Sequence, residues 1–445
     1  MKIAVVGGGS TYTPELVDGL ARLSRTLPVT ELALVDPARD RLELVGGLAR
    51  RILARRGHPA RVVLTDDLTR AADGAAAVLV QLRVGGQAAR HGDETWPLEC
   101  GCVGQETTGA GGLAKALRTV PVALDVAETV RRVSPGAWII DFTNPVGIVT
   151  RALLQAGHRA VGLCNVAIGL QRTFADLLDL PPEDLHLDHY GLNHLTWELA
   201  VRRGGPDGPD LLPGLLAGHG ERIAERLRLP RPLLDRLGVV PSYYLRYFYA
   251  HDEVVAELRR QPPRAAEVAA MEERLLEMYA DPALAEKPAL LAERGGAYYS
   301  EAAVALAAAL LGTAGRDGGG ARGGEGAQGG EPVQPVQVVQ PVQVVNVRND
   351  GTLPFLPDDA VVEVPARVTA HGAVPLAAPP LPPAHAGLVA HVTVYEHLAL
   401  DAALHGGRER VFAALLAHPL IGQYDRAEAL TDRLIAHNRA HLPWA

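Results

Sequence analysis

Several groups of residues in this 445-residue chain pair a side-chain type with a spacing that could do chemistry. Gly7, Gly8, Gly9, Ser10 and Thr11 follow the apolar run Ile3–Val6 and precede Pro14, which suits the first turn of a helix. A strand running into glycines at a helix start lets backbone N–H groups approach a pyrophosphate, and the helix dipole favours the anion. The last glycine of the usual G-x-G-x-x-G is replaced by Tyr12. Asp36, at the end of the next apolar run, adds a second criterion. A carboxylate there can accept both ribose hydroxyl hydrogens and would repel a 2′-phosphate, which favours NAD over NADP. The plain alternative is a structural turn with Asp36 capping a helix.

Cys164 and Asn165 stand directly after the run Ala160–Leu163, and His194 lies between Asn193 and Leu195. Thiol and imidazole form a mixed soft and borderline ligand pair. A metal held by only two protein groups keeps positions open for substrate oxygens, so it would be catalytic. Alone, each residue reads equally as buried and inert. Four of the 11 tyrosines fall within 241–249. They read as an aromatic packing cluster or, more sharply, as the source of a phenolate base whose pKa a metal and an Arg would lower. The segment 81–112 is too polar and glycine-rich for core, and carries Arg83, Arg90, Asp93, Glu94, Gln105 and Glu106. Asn144, before Pro145, is either a turn former or an amide placed in the same crevice.

These groups need a scaffold, and the intervening pattern supplies one. Short apolar runs at 3–6, 31–35, 62–64, 77–82, 138–142 and 160–163 alternate with helical patterns such as 39–56 and 113–133. That alternation predicts an α/β fold, a Rossmann-like doubly wound parallel sheet whose strand ends face one ligand crevice. After about residue 170 the pattern turns more helical, with a long candidate helix over 252–279, a surface loop at 203–215, and closing helices at 408–417 and 424–439. We therefore divide the chain into 1–168, a dinucleotide-binding domain, and 169–445, an intimately packed α+β catalytic and C-terminal domain. The Gly-rich and Pro-Val-Gln stretch at 313–342 reads as a low-complexity, disordered insertion, its tail Gln343–Val347 rejoining a strand.

Composition narrows the partners. With 43 Lys and Arg against 51 Asp and Glu, the net charge of −8 gives no global support for nucleic-acid binding. The 48% hydrophobic and 21% charged content is that of a globular protein. Only three lysines occur, Lys2, Lys115 and Lys287, so nearly all positive charge is Arg. Three cysteines, Cys100, Cys102 and Cys164, cannot form a disulfide framework. Residues 1–9 are too short an apolar run for a signal peptide, and no stretch reaches the length of a membrane span. The expectation is a cytoplasmic enzyme without membrane or nucleic-acid partners.

Taken together, these blocks resemble the family 4 glycoside hydrolases, the NAD- and metal-dependent glycosidases. The resemblance is carried in order by Val6–Leu16, Gly104–Thr107, Thr143–Pro145, Gly162–Asn165, Gly191–His194, Tyr244–Tyr247, Arg294–Ser300 and Val345–Asn349. It implies that Cys164 and His194 hold a divalent cation, commonly Mn2+, and that Tyr244 is the base at sugar C2. It places Gly7, Gly8, Gly9, Ser10, Thr11 and Asp36 at the NAD site. Glu106, Asn144 and Asn165 match substrate-side positions, and Asn165 is also carried over with a catalytic role. Arg90, Arg246, Arg264 and Arg294 are candidates for a sugar 6-phosphate, since a planar guanidinium binds phosphate bidentately. Asn after the metal-binding Cys resembles the 6-phospho-β-glucosidase branch, whereas the α branch tends to carry Asp. Tyr243 departs from the family, where Pro is frequent.

The implied reaction needs no carboxylate pair. NAD takes hydride from C3, the cation polarises the resulting ketone, Tyr244 removes the C2 proton, and the aglycone leaves from C1. Water then adds and the hydride returns. The substrate would be a phosphorylated disaccharide or β-glucoside, and the assembly a homodimer or homotetramer. Other readings are the same chemistry on a non-phosphorylated or α-linked sugar (a galactoside or glucuronide), a hydroxy-acid dehydrogenase, and a non-catalytic NAD-responsive sensor.

Overall fold

The computed structural model describes residues 1–295, 298–313 and 342–445. Twelve strands form one sheet. They are β1 (Lys2–Val6), β2 (Glu31–Val35), β3 (Arg61–Thr65), β4 (Ala75–Val80), β5 (Trp138–Asp141) and β6 (Ala160–Gly162). Then follow β7 (Leu185–Leu192), β8 (Leu195–Arg203), β9 (Val240–Pro241), β10 (Val342–Arg348), β11 (Val361–Thr369) and β12 (Gly372–Pro375). The first six are parallel in the order 3-2-1-4-5-6, the doubly wound arrangement that the alternating pattern predicts.

The apolar runs are continuous because both faces of this half-sheet are covered. Ile3 and Val5 of β1, Leu32 and Leu34 of β2 and Ile140 of β5 join one core, with Leu16, Val17 and Leu20 of helix Thr13–Arg22 and Val45 and Leu48 of helix Arg39–Arg55. Ala4, Val6, Ala33, Val35 and Ile139 point into the other, against Leu113, Leu117 and Val120 of helix Gly109–Val133 and Leu430 and Leu434 of helix Tyr424–Asn438.

The sheet does not stop at β6. Strand β10 runs antiparallel beside it through the single pair Asn346↔Gly162, and β11, β7, β8 and β9 continue in antiparallel sequence. Gly162 makes the joint possible: a Cβ there would lie 2.3 Å from Thr150 Oγ1 and 2.8 Å from Asn346 Cβ.

The region after 170 is thus richer in strands than its sequence suggests. Strand β7 is buried along its whole length although it carries His186, Asp188 and His189, so the usual alternation of apolar and polar residues is hidden. The long helix expected over 252–279 is two helices, His251–Leu258 and Arg264–Ala280. Pro262 and Pro263 lie between them, where missing N–H groups and ring clashes stop a helix. Strand β10 occupies the expected Gln343–Val347, while 314–341 of the Gly and Pro-Val-Gln insertion lies outside the described residues. Among the described residues no helix is long and apolar enough to cross a membrane.

Candidate active site

Loops after β1, β4, β5 and β6 leave the parallel half of the sheet at one end and carry the glycine loop, the 81–112 segment, Asn144 and Cys164, whereas Asp36 follows β2, His194 lies in the turn between β7 and β8, and Tyr244 follows β9. The glycine loop packs tightly: a Cβ on Gly8 would lie 2.8 Å from Leu34 Cβ, and one on Gly9 2.9 Å from the Asp36 carboxylate. Asp36 Oδ2 accepts from Gly9 N at 3.1 Å and Oδ1 from Ala38 N at 2.9 Å. The carboxylate is therefore held half-buried beside the loop, with acceptor positions remaining for a diol. Ser10 Oγ accepts from Tyr12 N, and Thr11 is fully buried with its hydroxyl toward Glu272. A glycine loop opening a helix, with a fixed acid at the end of β2, fits a dinucleotide.

A residue from the far half of the chain fastens this loop. Glu272, on helix Arg264–Ala280, accepts from Arg41 at 3.0 Å and from Arg294 at 2.7 Å. Arg41 also donates to Gly9 O at 2.7 Å. The two guanidiniums hold the Glu272 carboxyl down at about 2. Neither Arg41 nor Glu272 was singled out by sequence reasoning, because their meeting depends on a contact 231 residues apart.

Around the metal candidates the geometry centres on Tyr244. The His194 ring stacks on it with centroids 3.6 Å apart and planes 10° from parallel. A Cys164 thiolate would act electrostatically on the same phenol, raising its pKa. Burial, and after it the Glu363 charge, pushes the Cys164 thiol up, opposed by the amides of Val166 and Asn165 and by the Asn193 side chain. Burial also drives the His194 imidazole down to about 4, so the ring is neutral near pH 7. Its buried Nδ1 has no hydrogen-bond partner. A neutral imidazole with an unsatisfied nitrogen, together with a thiol whose charge would reach the same phenol, fits a divalent cation, which would displace the thiol proton. Among the described residues no cluster of three or more His, Cys, Asp or Glu is placed to hold a metal. A cation here would complete its shell with non-protein oxygens.

The chain's own charges do not lower the Tyr244 phenol as expected. Burial, with Cys164, Tyr247 and Glu106 nearby, pushes it well above its ordinary value, while a hydrogen bond with Thr107 works the other way. A phenolate there needs added positive charge.

Glu106 gathers such charge. It accepts from Arg83, from Lys115 Nζ at 2.6 Å and from Arg90 Nε at 3.2 Å. Arg90 also pairs with Glu94 at 2.7 Å and feels the Tyr244 hydroxyl. Burial lowers Lys115 to about 8, against the pull of Glu106. Lys115 stood out in the sequence only as one of three lysines, yet Lys115 and Arg118 inside the otherwise apolar first half of helix Gly109–Val133 were a usable signal. Asn144 stands at the start of the loop after β5 with its buried Oδ1 unpartnered, and Asn165 opens helix Val166–Leu178 directly after Cys164.

The four candidate phosphate arginines separate. Arg90 lies beside Glu106 and Tyr244. Arg294 pairs with Glu272 and faces Arg83. Arg246 turns toward Tyr243 Oη at 3.0 Å and Glu257 at 2.7 Å. Arg264 is exposed and bonded to Glu267 and to the carbonyl of Glu293. Of the motif 294–300, Gly296 and Ala297 lie outside the described residues.

Comparison with known proteins matches this architecture over its length. The model of the family 4 glycosyl hydrolases matches residues 2–180, and that of the family's C-terminal domain matches 189–319 and 336–421. The 6-phospho-β-glucosidase of Escherichia coli is 34% identical, covering 100% of this chain and 96% of the relative. The 6-phospho-β-glucosidase BglT of Thermotoga maritima is 31% identical over 99% of both chains. A solved structure of the Thermotoga maritima enzyme with manganese, NAD+ and glucose-6-phosphate superposes with a TM-score of 0.86, covering 99% of each chain.

Proposed function

The chain belongs to the family 4 glycosyl hydrolases, and from that premise we propose that it hydrolyses 6-phospho-β-glucosides with NAD and a divalent cation such as Mn2+ as cofactors. The observation that carries this reading is the ring of Tyr244, stacked on His194 and within the electrostatic reach of both Cys164 and the Glu106 cluster. Full-length similarity to 6-phospho-β-glucosidases supports the substrate class.

When bound, NAD supplies a reversible hydride acceptor at the glycine loop, and the divalent cation supplies Lewis acidity at Cys164 and His194. The chain's residues do the rest. Gly7–Thr11 and Asp36 hold the dinucleotide, the latter through the adenosine ribose hydroxyls. Tyr244 takes the proton from sugar C2, its hydroxyl oriented by Thr107 and its charge offset by Arg90. Arg83, Arg90 and Lys115 outnumber Glu106, and that excess suits an anionic sugar. Asn144 and Asn165 offer amides to the sugar hydroxyls. All four candidate arginines pair with carboxylates; Arg90 and Arg294 are the better-placed phosphate candidates because Arg90 adjoins the Glu106 cluster and Arg294 the Glu272 contact behind the glycine loop. In this reading 1–168 form the NAD-binding unit and 169–445 the catalytic unit, and the enzyme works in the cytoplasm as a homodimer or homotetramer.

A chromogenic β-glucoside, offered with and without a 6-phosphate, tests the proposal when NAD and Mn2+ are each present or withheld. Cleavage is expected only for the phosphorylated compound with both cofactors, with solvent deuterium entering C2. Equal rates on the α-anomer or the unphosphorylated sugar would overturn the substrate assignment. Stoichiometric accumulation of NADH would replace the glycosidase with a dehydrogenase.

A further inference from the structure

Behind Cys164 lies a buried polar chain that neither the dinucleotide nor the sugar reading uses. His189 on β7 bonds through Nδ1 to Glu198 Oε1 of β8 at 2.6 Å and through Nε2 to Glu363 Oε1 of β11 at 2.9 Å. The other Glu363 oxygen accepts from Asn193 Nδ2 at 2.8 Å and from Asn346 Nδ2 of β10 at 2.9 Å. His189, Glu198, Glu363 and Asn346 are at most 1% exposed. Asn193 directly precedes His194 in the two-residue turn between β7 and β8, and its side chain acts on the Cys164 thiol in the direction that favours the thiolate.

We propose that Glu363, braced by His189 and Glu198, is the positioning residue of the Cys164–His194 cation site, acting on the sulfur through Asn193 and on the imidazole through the Asn193-His194 turn. The inference rests on the reading of Cys164 and His194 as cation ligands.

A carboxylate only accepts, so Glu363 fixes the Asn193 amide with its nitrogen inward. That nitrogen carries a second hydrogen, which can stabilise a thiolate. An uncommitted amide could turn its oxygen to the sulfur and repel that thiolate. The same bond holds the turn against the sheet, so the His194 ring stays flat on Tyr244. Burying two carboxylates and an imidazole has a large desolvation cost, and an apolar cluster of equal volume would often stabilise the fold as well. Partners behind metal ligands orient them, and losing one typically weakens metal binding by about 10–100-fold.

The test is Mn2+ titration of the full-length NAD-loaded protein, followed by the paramagnetic resonance of free Mn2+, with Co2+ as a second probe for its sulfur charge-transfer band. Cys164→Ser and His194→Ala report on the underlying reading: if they keep wild-type Mn2+ affinity, that reading fails. If they lose it, Glu363→Gln is expected to weaken Mn2+ about 10–100-fold and shift the cobalt band, with NAD affinity unchanged. Asn193→Ala breaks the same relay without leaving a buried charge unpaired by His189, and is expected to lose about tenfold. It decides alone should Glu363→Gln fail to fold. Wild-type Mn2+ affinity and an unshifted band in Asn193→Ala would overturn the proposal while leaving the ligand reading intact.

Discussion

His194 sits at φ +65°, in the left-handed region that glycine occupies without steric cost. A ring is held there because its position on Tyr244 matters more than backbone ease. Comparing two variants isolates the strain, since both remove the imidazole. His194→Gly is expected to be more stable than His194→Ala by about 1 kcal/mol in urea unfolding, and both should be inactive. Equal stabilities would show that the turn is unstrained. His189 gives a second residue-scale prediction. Its two carboxylates raise it from the ordinary 6.5 to about 10 in spite of burial. A raised basic group adds stability that is complete below pH 6.5 and lost as pH climbs through 10. Wild-type protein should therefore lose on the order of a few kcal/mol between pH 6.5 and 10, and His189→Gln should show a flatter profile over the same window. Cys164, His194 and Tyr244 could be named as candidates from the sequence because a thiol followed a strand and four tyrosines clustered, and the family resemblance gave each a role. Glu272 and Glu363 were not. Each is an ordinary acid on an ordinary element, and only the fold brings it to partners more than 150 residues away.

At the scale of elements, helix Arg264–Ala280 acts on the dinucleotide loop without belonging to that half of the chain. Glu272→Gln would loosen Arg41 from Gly9 O and free Arg294. We expect NAD to bind about tenfold more weakly, the size of one charge-assisted hydrogen bond, as measured by calorimetry. An unchanged dissociation constant would reduce Glu272 to a stabilising contact. Strand β6 is the second lever. Gly162→Ala places a methyl group against Thr150 and Asn346 at the only residue that pairs β6 with β10 among the described residues. A loss of about 1–3 kcal/mol is expected on overpacking, with weaker Mn2+ binding because Cys164 follows two residues later. The six parallel strands could be read from sequence because burial on both faces leaves unbroken apolar runs. Strand β7 could not, since its buried histidines and acids are satisfied by partners that no local pattern reveals.

Across the whole molecule, the family match covers 2–180, 189–319 and 336–421 and leaves out 320–335. Excising 320–335 is expected to leave kcat and KM for the phosphorylated β-glucoside unchanged, whereas a tenfold fall in kcat/KM would assign the stretch a part in the reaction. The sheet itself has a consequence for how the protein is made. The seam at β6 is closed by β10, a strand that a ribosome does not deliver until residue 342 and beyond. At about 5–20 residues per second, the nascent half-sheet waits roughly ten to forty seconds with one border unpaired. An open β border invites pairing with other chains, so slower translation or a longer tract before β10 lengthens the interval in which the newborn enzyme is most prone to aggregate.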